Sequence, residues 1–243
     1  GLGTDADLTK QLYTITIHDK KKIQTDALII ATGASAKYLG LESEEKFKGM
    51  GVSACATCDG FFYKGQDVAV VGGGDTAAEE ALYLSGICNK VYMIHRRDEL
   101  RASRIMQKRV FNTDNIEVVW NSETKEVLGD EDGVTGVRLL KNTTGEEYDV
   151  NITGFFLGIG HKPNSDIFKD YLKTDDTGYI ITEEGSSKTN MEGVFACGDV
   201  QDWIYRQAVT AAGSGCKAAL DAERYLSTKE LDAEVEEEQE ENK

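Results

Sequence analysis

Apolar and polar positions along the chain alternate between two periods. Tyr13 to Ile17 changes character at every residue, the pattern of a half-buried strand, and residues 27–30 form a short apolar run that stops at Thr32-Gly33-Ala34. Residues 38–51 read as loop. Asp67 to Val71 is a buried strand broken by Gly72-Gly73-Gly74, and Asp75 to Ser85, rich in Ala, Glu and Leu and closed by Gly86, reads as a helix. A strand at 91–94, a basic helix at 99–111 and a strand at 116–120 follow. The order β-α-β-α-β calls for a parallel sheet with right-handed crossovers. Residues 124–150 depart from it, with strands around Val127 and from Val134 to Lys141 separated by Gly-rich turns, an antiparallel excursion. Residues 154–159 are again a buried strand, and Gly160-His161-Lys162-Pro163-Asn164 is a second break. Beyond it stand a strand at Val194 to Ala196 and a last helix over about 206–225.

Composition narrows the class. With 243 residues, 40% hydrophobic, 29% charged, 25 glycines and a single proline, the chain can build a packed α/β core and is neither collagen-like nor a short disulfide scaffold. The net charge of −16 repels phosphate backbones, so nucleic acid is not an expected partner. Part of the charge is local: Lys229 to Lys243 carries eight acids against two lysines and reads as an acidic, disordered tail. No stretch approaches the roughly 18 apolar residues of a membrane span, and the first residues lack a secretory pattern, so no membrane and a cytoplasmic location are expected. Cys88, Cys197 and Cys216 stand singly among small and apolar neighbours and read as buried hydrophobes. Only Cys55 and Cys58 form a close pair.

Gly72-x-Gly74-x-x-Ala77, directly after a strand and opening a helix, lets backbone N–H groups approach a pyrophosphate; Asp75 and Thr76 belong to the same turn. About 20 residues on, where an NAD site would place a carboxylate, stands His95-Arg96-Arg97, with Arg101 one turn further. Guanidinium groups suit a 2′-phosphate, which points to NADPH; the competing reading is a tight turn beside a solvated basic helix start. Cys55-Ala56-Thr57-Cys58 has the spacing of a redox disulfide. Half a zinc site is the alternative, but no second pair exists and the histidines His18, His95 and His161 lie far apart, so no metal is expected. Asp59, next to Cys58, is placed either to shuttle a proton or to cap the turn before Gly60. A hydride donor and a disulfide need a two-electron intermediary, and a flavin fits. Candidate flavin contacts are Gly198-Asp199 at a strand end and Arg206-Gln207-Ala208 at the start of the last helix, although Gly-Asp is also an ordinary turn.

With these residues in view, the chain closely resembles the bacterial-type, low-molecular-weight thioredoxin reductases. The stretches that carry the resemblance are Ala31-Thr32-Gly33-Ala34, Gly51 to Phe62 around Cys55 and Cys58, Gly72 to Ala77, His95-Arg96-Arg97, Gly158 to Asn164, Gly198-Asp199-Val200 and Tyr205 to Ala208. The resemblance implies two Rossmann-like domains of the pyridine nucleotide-disulfide oxidoreductase type: an FAD domain split over 1–37 and 158–228, and an NADPH domain with the redox cysteines at 38–157, with 229–243 as the tail. It implies electron flow from NADPH through FAD to the Cys55/Cys58 disulfide and on to thioredoxin, with Cys58 nearest the flavin, Cys55 as the interchange thiol, Asp59 as proton donor, Ala31, Thr32 and Gly33 at the FAD, a hinge at the two domain crossings, and a homodimer.

One departure is large. The family opens with an FAD-binding strand and its own glycine turn, and nothing of that kind precedes Gly72. The expectation is a fragment with the FAD domain incomplete at its N-terminus, in which NADPH binding survives while FAD binding and turnover are impaired. Two other readings share the motifs: the flavoprotein subunit of an alkyl hydroperoxide reductase, and a non-catalytic NADPH-binding fragment.

Overall fold

The computed structural model describes residues 3–10 and 12–241. They fall into two units: the described residues up to Ser35 together with those from Lys162 onward, and the continuous stretch Ala36–His161.

The first unit begins with an antiparallel meander of β1 (Gly3–Asp7), β2 (Tyr13–Ile17) and β3 (Lys21–Thr25), followed by β4 (Leu28–Ile30). Strand β2 keeps its sequence-derived bounds. Neither β1 nor β3 was expected: the residues of β3 are mostly exposed, and Gly3–Asp7 shows no run of alternating apolar positions. The short strand β5 (Ala34–Ala36) carries the chain into the second unit.

There, α1 (Glu42–Lys46) interrupts the expected loop, and Glu44 explains why: its carboxylate accepts the backbone N–H groups of Leu39, Gly40 and Leu41 at 3.1, 2.8 and 3.0 Å. The succession β6 (Val52–Ser53), α2 (Ala56–Asp59), β7 (Asp67–Val71), α3 (Asp75–Ser85), β8 (Lys90–Ile94), α4 (Arg104–Phe111) and β9 (Ile116–Val119) leads to β10 (Ser122–Gly129), β11 (Val134–Lys141), β12 (Glu147–Asn151) and β13 (Gly154–Leu157). The parallel sheet has the order β6-β13-β7-β8-β9. Alternate residues of its strands serve two cores. Val68, Val70, Val91, Met93 and Phe156 pack with Ala77, Ala78, Ala81 and Leu84, the buried stripe of α3. On the opposite face Ala69, Val71, Ile94, Phe155 and Leu157 pack with Val127, Val137 and Leu139 of the antiparallel β10-β11-β12 sheet. The unit is thus a helix layer, a parallel sheet and an antiparallel sheet. Its ends meet: the Lys37 N–H donates to the Gly160 carbonyl at 3.0 Å.

The chain returns through β14 (His161–Pro163), and β15 (Val194–Ala196) pairs in parallel with β4, register Phe195 to Ile29. The last helix, α5, runs Ala208–Glu241. That corrects the expected end at 225 and the disordered tail from Lys229. Residues 226–241 contain neither Gly nor Pro and are dominated by Glu, Ala, Leu, Lys and Gln, so intrinsic preference outweighs the repulsion of like charges. The Lys229 ammonium is also tied to the Asp26 carboxylate. Cys88 and Cys197 are buried as expected, but Cys216 on α5 is exposed. Among the described residues no helix is long and apolar enough to cross a membrane.

Candidate functional site

The glycine turn lies between β7 and α3, and each glycine has its own reason. Gly72 has φ +147°, and a Cβ there would sit 2.5 Å from the Gly158 carbonyl and 2.6 Å from the Ala77 Cβ. A Cβ on Gly158 would lie 2.6 Å from the Ala77 Cα. Gly72, Ala77 and Gly158 therefore form one close approach of helix to sheet, the purpose of the third small residue of the motif. Gly73 rests on the His95 ring, whose Cε1 a Cβ would meet at 2.2 Å, whereas Gly74 faces open space and is the N-cap of α3.

His95 is 5% exposed, its Nε2 is 2.9 Å from the Glu99 carbonyl, and its ring lies edge-on to Trp120. Burial, and then the charges of Arg101, Arg97 and Arg96, push its pKa below the usual histidine value. It is thus a neutral ring supporting the turn rather than a further positive charge. Arg96, Arg97 and Arg101 are exposed, and among the described residues none forms an ion pair. The helix expected from 99 begins only at Arg104, with Ser103 as its N-cap. The three residues directly before it are used differently: Arg101 and Ala102 N–H groups donate to the Gly73 carbonyl at 2.7 and 3.0 Å, and the Ser103 N–H donates to Asp75 Oδ1 at 2.8 Å. Gly72, Gly73, His95, Arg96 and Arg101 line one cavity of about 450 Å³. Thr76 is half-buried and Ala77 fully buried beside it.

Cys55 and Cys58 are joined as a disulfide, Cα atoms 5.3 Å apart, across the single turn of α2. Cys58 is exposed and Cys55 half-buried, with the Thr57 hydroxyl 3.4 Å from the Cys55 sulfur. The turn can press onto α3 because Gly60 has no side chain; a Cβ there would meet Leu84 Cδ2 at 2.8 Å. Asp59 does not cap the following turn. Its Oδ2 accepts the Ser53 hydroxyl at 2.6 Å. Sequence reasoning passed over Ser53, whose only signal was its place two residues before Cys55. Phe61 and Phe62, directly after, are 70% and 75% exposed.

The remaining predicted residues lie in the first unit. The Thr32 hydroxyl donates to the Asn164 carbonyl at 2.7 Å, and Asn164 in turn donates to the carbonyls of Thr32 and Gly33 at 3.0 and 2.9 Å. Asn164 thus holds the turn that follows Ala31, and Gly33 adopts φ +72°. Gly198, at φ +70°, donates its N–H to the Ser214 hydroxyl of α5 at 2.9 Å. The next residue, Asp199, has a buried Oδ1 with no hydrogen-bond partner among the described residues, and burial, reinforced by Asp202 and opposed by Arg206, raises its pKa. A buried acceptor without a donor fits a ligand hydroxyl, which is what the ribityl chain of a flavin offers. Arg206, at φ +48°, donates to the Trp203 carbonyl, the Gln207 amide to the Tyr205 carbonyl at 3.3 Å, and Ala208 opens α5.

Comparison with known proteins gives the same answer from sequence and from shape. The family described as Pyridine nucleotide-disulphide oxidoreductase matches residues 3–215. Curated relatives include a thioredoxin reductase of Coxiella burnetii, 52% identical over 231 residues that span 92% of this chain and 72% of the relative, and one of Vibrio cholerae, 54% identical over 229 residues, 91% and 71%. Among solved structures, thioredoxin reductase from Streptococcus pyogenes superposes with a TM-score of 0.88 at 38% identity, covering 94% of this chain and 74% of that one. The enzyme from Giardia duodenalis gives 0.86 at 43% identity, with coverage of 92% and 73%. On the family match, these identities and the Cys55–Cys58 disulfide, the chain belongs to the pyridine nucleotide-disulphide oxidoreductases, among the FAD- and NADPH-dependent thioredoxin reductases.

Proposed function

We propose that this chain carries electrons from NADPH to the disulfide of thioredoxin through Cys55 and Cys58, with residues 38–157 as the NADPH domain and 1–37 with 158–228 as the FAD domain. The observation that carries the reading is the Cys55–Cys58 disulfide in the same unit as a glycine turn whose cavity is lined by Arg96 and Arg101, which form no ion pair among the described residues. Backbone N–H groups at the start of α3 approach the pyrophosphate, Gly74 leaves room for it, and Arg96, Arg97 and Arg101 hold the 2′-phosphate with charge-assisted bonds. FAD, when bound, would supply the two-electron relay between a hydride donor and the disulfide. Asp199 would accept a ribityl hydroxyl, and the N–H groups at Gln207 and Ala208 would face the polar edge of the ring. Cys55 acts as the interchange thiol, its thiolate helped by the Thr57 hydroxyl, and Asp59 exchanges a proton with Cys58. Phe61 and Phe62 offer an apolar landing beside the disulfide for the partner protein.

The test needs no cofactor. The chain with Cys58→Ser, mixed with oxidised thioredoxin, is expected to trap a covalent one-to-one complex through Cys55, while Cys55→Ser traps none. Phe61→Ser with Phe62→Ser slows formation of the complex. Failure of both cysteine variants to trap thioredoxin would overturn the substrate assignment. We also propose a homodimer and a cytoplasmic location; three free cysteines beside one exchangeable pair suit a reducing compartment.

A further inference from the structure

The Ser53 hydroxyl stands between the two reacting parts of the disulfide turn. It donates to Asp59 Oδ2 at 2.6 Å, receives the Cys55 N–H at 3.1 Å, and has the Cys55 carbonyl as a second, longer acceptor at 3.5 Å. Ser53 is only 8% exposed, at the end of β6, a strand paired to β13 in the parallel sheet. Its position is therefore set by the sheet, whereas Asp59 sits on a single turn with little else to fix its side chain. Asp59 also lines a cavity of about 550 Å³ together with Tyr63, Gln66 and Asp132, so a proton on the carboxylate has a route to water. Burial and the facing charge of Asp59 both raise the Tyr63 phenol, so that ring stays neutral and does not compete for the proton.

We propose that Ser53 is the positioning residue for proton transfer by Asp59: it holds the carboxylate toward Cys58 while that carboxylate is charged and turns when it is protonated. The inference rests on the role of Asp59 proposed above. In the charged state the hydroxyl hydrogen points at Oδ2. Once Asp59 has taken a proton, its own O–H donates to Ser53 Oγ, and the serine hydrogen swings to the Cys55 carbonyl, so no group is left without a partner in either state. The proton transfer belongs to the second half of disulfide exchange. The Cys55 thiolate attacks a disulfide RSSR, the S–S bond of RSSR breaks, a Cys55–S–S–R bond forms and the first RS⁻ leaves. Cys58–SH then gives its proton to Asp59, its sulfur displaces the second RS⁻, and the Cys55–Cys58 bond closes. Two electrons have moved from the dithiol to RSSR, and the proton leaves Asp59 for water.

The experiment mixes the reduced chain, with the exposed Cys216 replaced by Ser in every variant, with an aromatic disulfide, 5,5′-dithiobis(2-nitrobenzoate), in stopped flow and follows the coloured thiolate released in two phases, attack and ring closure. Cys58→Ser identifies the first phase alone. Ser53→Ala is expected to leave the first phase unchanged and slow the second about tenfold, the scale of losing one hydrogen bond to a charged group. Ser53→Thr, which keeps the hydroxyl, restores the second phase, and Ser53→Val, which has the same shape without it, does not; this pair decides the matter should the alanine variant fold poorly. Wild-type phases in Ser53→Ala beside a slow second phase in Asp59→Asn would overturn the inference and leave the role of Asp59 standing. An unaltered second phase in Asp59→Asn would remove both. Equal slowing of both phases, or equal rates in the threonine and valine variants, would make Ser53 a structural residue only and overturn the inference.

Discussion

Alanine at Gly158 and alanine at Gly74 add the same methyl group on two sides of the start of α3, yet opposite consequences are expected. At Gly158 the new Cβ would sit 2.6 Å from the Ala77 Cα, 2.8 Å from its Cβ and 3.2 Å from its nitrogen. Carbon atoms rest at about 3.5–4.0 Å, so β13 and α3 must separate by about 1 Å, and two of the three obstacles are backbone. Overpacking of that kind costs about 1–3 kcal/mol, a fall of roughly 3–15 °C in the melting temperature of a unit this size. At Gly74 nothing lies within 4 Å, and the backbone, at φ −94° and ψ −175°, is open to any residue. The loss in stability there is confined to a poorer N-cap, about 0.5 kcal/mol. Its methyl group would, however, project into the space through which the pyrophosphate approaches the N–H groups of α3, and NADPH affinity is expected to fall at least about tenfold, or ~1.4 kcal/mol. Scanning calorimetry and titration calorimetry with NADPH on both variants separate the effects. A Gly158→Ala protein as stable as the parent, or a Gly74→Ala protein that binds NADPH as the parent does, would refute the reasoning.

Four further outcomes are expected. Arg96→Ala with Arg97→Ala lowers NADPH affinity by about 10–100-fold and NADH affinity by no more than about threefold, with no change in melting temperature because no ion pair is broken; titration with both nucleotides checks it, and equal losses contradict the 2′-phosphate role. Asp199→Asn raises the melting temperature of the ligand-free chain at pH 7, since burial disfavours the charged carboxylate, and the gain disappears below the unfolded value of 3.8, where both states are protonated; the same variant binds FAD more weakly. The folded-state pKa of His95 lies below 6.5, so the stability that depends on its neutral ring is complete above pH 6.5 and is lost as the pH falls through the folded value; urea melts at pH 7.5 and 5.5 give the slope, and the non-titrating His95→Gln variant reduces it. In the native oxidised chain a maleimide labels Cys216 and not Cys88, whose thiol is pushed up to about 11 by burial, nor the buried Cys197; peptide mapping reads the sites.

The sequence disclosed most where periodicity and burial coincide. Asp67–Val71 and Asp75–Ser85 have the bounds read from the chain because every strand residue after Asp67 is apolar and α3 buries an alanine stripe. The reading failed where a segment serves the turn rather than a regular element. Glu99 to Ser103 has helical composition, yet the N–H groups of Arg101, Ala102 and Ser103 are taken by Gly73 and Asp75, contacts far away in sequence. His95 was read as a ligand because it precedes two arginines, and only the packed ring under Gly73 reveals a supporting role. Ser53 and Asn164 were invisible as site residues, since a serine or an asparagine in a loop carries no chemical signature until its hydrogen-bond partners are known. Strands β1 and β3 escaped for the opposite reason: the hydrogen bonds of the meander make them strands, and their side chains do not announce it.

The bond from Lys37 to Gly160 has a consequence for engineering and for descent. A stretch whose two ends are pinned side by side makes no demand on the length of whatever flanks it, so residues 36–161 form a transplantable cassette. Such a cassette tolerates excision, grafting into another host loop, or new termini opened at one of its surface turns, because none of these operations requires its backbone to be rerouted.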